Sequence, residues 1–180
     1  IEVGKKVKKF KIGDKIMAMT LYGGFAENIV LNHEDLIKRP KKMNCITAAG
    51  FTMTYGTSMH ALTQKANLKK NETILILGAG GGVGLAAVQI AKAIGAKVIA
   101  AASSNDKLEV ARESGADFLI NYSEEDLRLK LKEFTGEKGV DVVFDPVGGE
   151  LLEKALRSTA WKGRILIIGF TSGIIPKISL

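Results

Sequence analysis

ILILGAGGGVGLAAVQIAKAIG, residues 74–95, holds five glycines between Gly78 and Gly84, set between a β-branched run and a long Ala/Val/Ile run. Glycine weakens both strand and helix, so five together need a reason. The flanks predict a strand that turns sharply into a helix. At such a turn the backbone must reverse tightly, and an anion approaching it meets bare amides, because there is no Cβ to hold it away. The first N–H groups of the helix have no intrahelical acceptor, and the helix end carries a partial positive charge. The spacing fits G-x-x-G-x-x-G through Gly78, Gly81 and Gly84; a G-x-G-x-x-G frame ending at Gly84 would put Ala79 in its first position. Gly81, Gly82 and Val83 are expected to contact a diphosphate, and Gly84 to let the helix pack closely on the sheet. A tight turn without a ligand would also use glycine, so the surrounding pattern has to decide.

That pattern is a β-α alternation. ETILIL (72–77), KVIAAA (97–102), DFLIN (117–121), VDVVFD (140–145) and RILIIGF (164–170) predict five apolar strands. Between them lie the helix ended by Gly95, a short helix in NDKLEVARESGA stopped at Gly115, and GELLEKALRSTA (149–160), with Leu151, Leu152, Ala155 and Leu156 on one face. SEEDLRLKLKEF (123–134) alternates like a strand through Leu127, Leu129 and Leu131, yet Leu127, Leu131 and Phe134 also fit one helical face. Ser123 followed by Asp126, with acids early and lysines late, favours a capped helix. Strands this apolar need cover on both faces, and helices between them supply it. The expected fold class is α/β: a Rossmann-type doubly wound parallel sheet with helices on both faces.

The front of the chain reads differently. DKIMAMT (14–20) and GGFAENIVL (23–31) predict short β runs around the turn signal Tyr22-Gly23-Gly24, and Pro40 with its lysines marks a boundary. Asn44 to Ala66 reads as a helix capped by Asn44, with Gly50 and Gly56 as possible interruptions. Six lysines between Lys5 and Lys15 supply much of the formal net charge of +7. They read as a solvated strand edge and turn, and no nucleic-acid partner is expected. One cysteine, Cys45, excludes an internal disulfide and suits a reducing compartment. His33 and His60 lie far apart with no cysteine cluster, so no metal site is expected. The charge-free run Thr73–Ala91 is broken by the glycines, and no membrane span is expected. The charged start from Ile1 resembles neither a signal peptide nor a natural beginning, which suggests a fragment.

At the end of the second parallel strand, about 20 residues past the glycines, an acid would bind a ribose 2′-hydroxyl. Ser103 and Ser104 stand there instead, with Lys107 one helical turn on, while Asp106 falls in the first turn of the next helix, where an acid is expected anyway. Hydroxyls and an ammonium suit a 2′-phosphate, which a carboxylate would repel. The expected cofactor is NADPH rather than NADH.

Together these segments bring a family into view. VGKKVKKFKIGDKIMAM (3–19), YGGFAENIV (22–30), YGTSMHAL (55–62), GGVGLAAVQIAKAIGA (81–96), GADFLINY (115–122), FDPVGG (144–149) and WKGRILIIGF (161–170) resemble segments of the medium-chain dehydrogenase/reductase superfamily, in its zinc-free quinone oxidoreductase (zeta-crystallin-like) branch. The resemblance covers essentially the whole chain. It implies that residues 1–43 are the late part of a GroES-like catalytic domain and 44–180 a Rossmann NADP-binding domain cut before its last strand. It implies that Ser103, Lys107 and Tyr122 hold the 2′-phosphate end, that Thr57 lies near the nicotinamide half, and that Val147, Gly169, Phe170 and Thr171 line the rest of the groove. Without the resemblance, Thr57, Tyr122 and Phe170 would read as packing residues.

Zinc-dependent relatives carry four cysteines in a structural lobe and a ligand cysteine six residues before the tyrosine of the YG pair. Here the first set is missing and Ala49 holds the second position. Without a Lewis acid, an alcohol oxygen is poorly polarised, whereas an electrophilic quinone or enone needs less help. The resemblance therefore implies a zinc-independent, cytoplasmic, homodimeric NADPH:quinone oxidoreductase acting on a small quinone or conjugated carbonyl. An enoyl-thioester reductase and an NADPH-binding protein with little turnover are the alternatives. The catalytic residues are not identified; Tyr22 and His60 qualify only by residue type.

Overall fold

The structure, a computed structural model, describes residues 1–177. The chain divides into two compact units, Ile1–Met53 and a second beginning at Thr54. In the first, β1 (Ile16–Ala18) pairs antiparallel with β2 (Leu36–Lys38), Met17 opposite Ile37. Phe10 is buried beside them, with the ammonium groups of Lys9 and Lys38 at 5.3 and 6.0 Å from its ring centroid. Asp14 accepts the Lys11 N–H, and that bond is the first cause holding its carboxyl below the usual range. The stretch 23–31 forms no strand: Phe25 and Val30 stand in solvent, and no described strand pairs with it. Its apolar spacing suits a strand, but a strand needs a ladder partner.

Helix α1 (Cys45–Met59) starts as expected, with the Asn44 side chain accepting the Thr47 N–H at 2.7 Å. Neither Gly50 nor Gly56 interrupts it, and it continues as a π-helical turn over His60–Lys65.

From there the alternation runs as expected: β3 (Thr73–Leu77), α2 (Gly82–Ile94), β4 (Lys97–Ala102), α3 (Asn105–Glu113), β5 (Phe118–Asn121), α4 (Leu127–Thr135), β6 (Val140–Asp145), α5 (Glu150–Leu156) and β7 (Thr159–Ile167). The five strands are parallel in the order β5-β4-β3-β6-β7. Each central strand feeds both faces. Ile74, Ile76, Val98, Val142 and Phe144 pack in one cluster with Val88 and Ala91 of α2 and Ala111 of α3. Leu75, Leu77, Ile99 and Val143 pack in the other with Leu127 and Leu131 of α4 and Ala155 of α5. Ile74 to Leu77 are all 0% exposed, and each such side chain is worth about 1.5–3 kcal/mol of burial.

Two details differ from the sequence reading. The cap of α4 is Asp126, whose Oδ1 accepts the Arg128 and Leu129 N–H groups, and not Ser123. Ser123 instead donates to the Ser103 carbonyl oxygen, a bond across 20 residues that local spacing cannot show. Strand β7 begins five residues before Arg164, with a register shift where it meets β6.

At the foot of the sheet, before β3, Arg164 donates to both carboxylate oxygens of Glu72, at 2.8 and 2.6 Å, and to the Ala66 carbonyl at 3.0 Å. This fork pulls the Glu72 carboxyl below its usual range and raises Arg164. No helix among the described residues is long and apolar enough to cross a membrane.

Candidate functional site

The strand order reverses between β3 and β6. The crevice beyond the carboxyl ends of these two strands is where open α/β sheets take ligands. The glycine turn leaves β3 at this point. The Ala79 N–H donates to Ala101 of β4, the Gly81 N–H to the Gly78 carbonyl, and Gly81 is the N-cap of α2 with no side chain capping it. The turn's glycines do different jobs. A Cβ on Gly84 would lie 2.4 Å from the Gly78 oxygen and 2.8 Å from Ala79 Cα, so the helix sits against its own entry turn. A Cβ on Gly81 would meet only the Gly78 oxygen, at 3.4 Å, and both Gly81 and Gly82 are exposed. Packing within the chain therefore demands glycine at 84 and not at 81. The space over Gly81, at an uncapped helix N-terminus, suits a close-approaching anion.

Helix α1 flanks the start of α2. The Ser58 hydroxyl, 0% exposed, donates to the Val83 carbonyl at 2.9 Å. The Tyr55 hydroxyl bonds Gln89, and the Thr54 methyl would sit 3.1 Å from a Cβ on Gly82. Thr57 belongs to the same turn of α1 as these residues.

Past β4 and β5 the three residues expected at the 2′-phosphate end come together. Lys107 Nζ donates to Ser103 Oγ at 3.0 Å, and the Tyr122 N–H donates to the Ala102 carbonyl at 3.1 Å. The Lys107 stem lies over the turn: a Cβ on Gly80 would be 2.6 Å from Lys107 Cβ.

On the other side of the switch point, the loops after β6 and β7 are laced together. Thr171 N–H donates to the Pro146 carbonyl at 3.1 Å and Ser172 N–H to the Val147 carbonyl at 3.0 Å. Gly148, at φ +70°, lies so close to Phe170 that a Cβ would be 2.8 Å from its ring. Val147 in turn borders the glycine turn, 3.0 Å from where a Gly78 Cβ would stand. Val147, Gly169, Phe170 and Thr171 are thus one wall. Asp145, which the sequence reading passed over, anchors it: its Oδ1 accepts the Val147 and Gly148 N–H groups at 2.8 and 2.9 Å. The signal was present in Asp-Pro-x-Gly, a turn sequence in which aspartate bonds the backbone two residues on.

Two candidates were named by residue type alone. Tyr22 is exposed in the first unit, and His60 Nδ1 pairs with Gln64 Oε1 at 2.8 Å. Ala49 borders a cavity of about 300 Å³ within the first unit, where Arg39 donates to Cys45 Sγ at 3.1 Å. Among the described residues, no three His, Cys, Asp or Glu side chains are placed to share a metal ion.

Comparison with known proteins agrees with this architecture. The model of the family described as zinc-binding dehydrogenase matches residues 82–179. The chain belongs to the medium-chain dehydrogenase/reductase superfamily, in its quinone oxidoreductase-like branch. The chain is 38% identical to quinone oxidoreductase-like protein 2 of Bos taurus over 99% of its own length and 51% of the relative's. It superposes on the Escherichia coli quinone oxidoreductase complexed with NADPH with a TM-score of 0.88 at 34% identity, covering 99% of this chain and 55% of that one. The CurK enoyl reductase gives 0.87 at 34% identity, covering 93% and 50%. The chain spans about half the length of the curated relatives it matches.

Proposed function

We propose that the chain carries most of the NADPH-binding domain (44–180) and a strip of the GroES-like catalytic domain (1–43) of a reductase that passes a hydride to a quinone or conjugated carbonyl. The observation that carries this reading is the pair Gly81 and Gly84: one glycine is required by packing, while the other leaves an opening over an uncapped helix end at the switch point. Lys107, held to Ser103 beside that opening, supplies a cation where a 2′-phosphate would sit. The likeness to an NADPH complex supports the same cofactor.

When bound, NADPH supplies the hydride. The chain's own contribution is position and exclusion of water. Main-chain N–H groups of Gly82 and Val83, beside the open Gly81, take the diphosphate; Ser103, Lys107 and Tyr122 take the 2′-phosphate end. Thr57 and the wall of Val147, Gly169, Phe170 and Thr171 flank the nicotinamide half. No residue here is assigned as a general acid.

Stopped-flow loss of NADPH absorbance in the intact protein, with quinones and enoyl-CoA esters in parallel, tests the reading. Rapid oxidation by quinones is expected. Oxidation by enoyl-CoA alone would favour the enoyl reductase reading, for which the CurK likeness speaks. No oxidation by any acceptor would leave a binding protein. Ala49 and the absence of the four lobe cysteines from this sequence support a zinc-independent reading, and stoichiometric zinc on metal analysis would overturn it. A cytoplasmic homodimer is part of the proposal, checked by light scattering and fractionation.

A further inference from the structure

Asp145 is 0% exposed, at the carboxyl end of β6. Its Oδ1 holds the Val147 and Gly148 N–H groups, and its backbone oxygen receives Ile168 N–H at 2.8 Å and Gly169 N–H at 3.4 Å. One residue therefore ties the loop after β6 to the loop after β7, 20 or more positions away. Its second oxygen, Oδ2, is buried with no hydrogen-bond partner among the described residues. Burying Oδ2 without a partner carries a cost, whereas an apolar side chain would leave the Val147 and Gly148 N–H groups without their acceptor. Costs of this kind are kept where backbone placement matters more than stability.

We propose that Asp145 is a positioning residue whose carboxylate fixes the nicotinamide-side wall of the groove, acting through the Val147 and Gly148 N–H groups. The inference rests on the NADPH reading above and deepens it. It divides the groove into two separately held halves. The adenosine half depends on the glycine turn, Ser103, Lys107 and Tyr122, none of which bonds Asp145. On the nicotinamide side this carboxylate holds the turn at Val147 and Gly148, to which main-chain bonds tie the loop after β7.

The division can be read with two ligands. 2′,5′-ADP occupies only the adenosine half, whereas NADPH spans both. In the intact protein, the series D145N, D145S and D145A removes the loop bonds in steps. Asparagine keeps a carbonyl that accepts both N–H groups, serine keeps one weaker turn bond, and alanine keeps none. NADPH dissociation constants are expected to stay within about threefold of wild type for D145N and to rise about 30-fold for D145A, the equivalent of two hydrogen bonds, with D145S between. The 2′,5′-ADP constant is expected to be flat across the series. If D145A does not fold, D145N against D145S still decides. Parallel loss of both ligands, or no loss of NADPH in D145S and D145A, would overturn the proposal. A wild-type protein that binds neither ligand would instead remove the cofactor reading beneath it.

Discussion

Two alanines in the glycine turn separate holding the fold from holding the ligand. Gly84→Ala places a methyl 2.4 Å from the Gly78 oxygen and 2.8 Å from Ala79 Cα. Neither atom can yield easily, because the Gly78 oxygen accepts the Gly81 N–H and the Ala79 N–H is bonded to β4. Restoring ordinary contact means moving α2 outward by roughly 1 Å, against the contacts of Ala87, Val88 and Ala91. Overpacking of this kind costs about 1–3 kcal/mol, and the rigid backbone on both sides puts it at the upper end. For a chain of this size, that is a fall in Tm of roughly 6–12 °C.

Gly81→Ala meets only one atom, at 3.4 Å, in a backbone conformation of φ −85° and ψ 163° that alanine adopts freely. At an N-cap it costs a few tenths of a kcal/mol to about 1 kcal/mol. Its methyl, however, fills the space over the helix end. NADPH affinity is therefore expected to fall about 100-fold, or about 2.7 kcal/mol. Thermal unfolding and titration of NADPH fluorescence, run on the same two variants, give the four numbers needed. A Gly81→Ala protein that binds NADPH as wild type does would refute the reasoning, and so would a Gly84→Ala protein that melts with wild type.

Lys107→Ala is expected to weaken NADPH about tenfold or more while leaving NADH unchanged, since only the former offers a 2′-phosphate; competitive titrations check the ratio. Glu72 has a folded pKa lowered below its ordinary 4.5, so its contribution is present above that value and is lost as pH falls through and below it. At pH 7, Glu72→Gln is expected to cost about 1–3 kcal/mol in urea unfolding, and the gap to wild type is expected to narrow as pH approaches 3. Ser58→Ala removes the hydroxyl that donates to the Val83 carbonyl and is expected to cost about 1 kcal/mol, measured the same way.

The parallel sheet was legible because its strands are apolar on both faces, a pattern that survives any detail of packing. Ile74–Leu77 and Val98–Ala102 could hardly be anything else. The meeting of Ser103 and Lys107 was legible because they are one helical turn apart, so sequence distance and spatial distance agree. The reading of 23–31 as strand failed for the converse reason: alternation reports what a segment could pair with, and not whether a partner exists. The cap of α4 could have been either of two polar residues three positions apart, and the bond from Ser123 to Ser103 drew one of them away. The turn bonds of Asp145 were legible in Asp-Pro-x-Gly, whereas its tie to Ile168 and Gly169 appears only when the loop after β7 folds back.

The Arg164 fork and the glycine turn sit at opposite ends of the sheet, and among the described residues no side chain serves both. Selection can therefore rework the rim without loosening the contacts that keep the scaffold standing. A sheet anchored at its foot is a forgiving platform for new chemistry at its head.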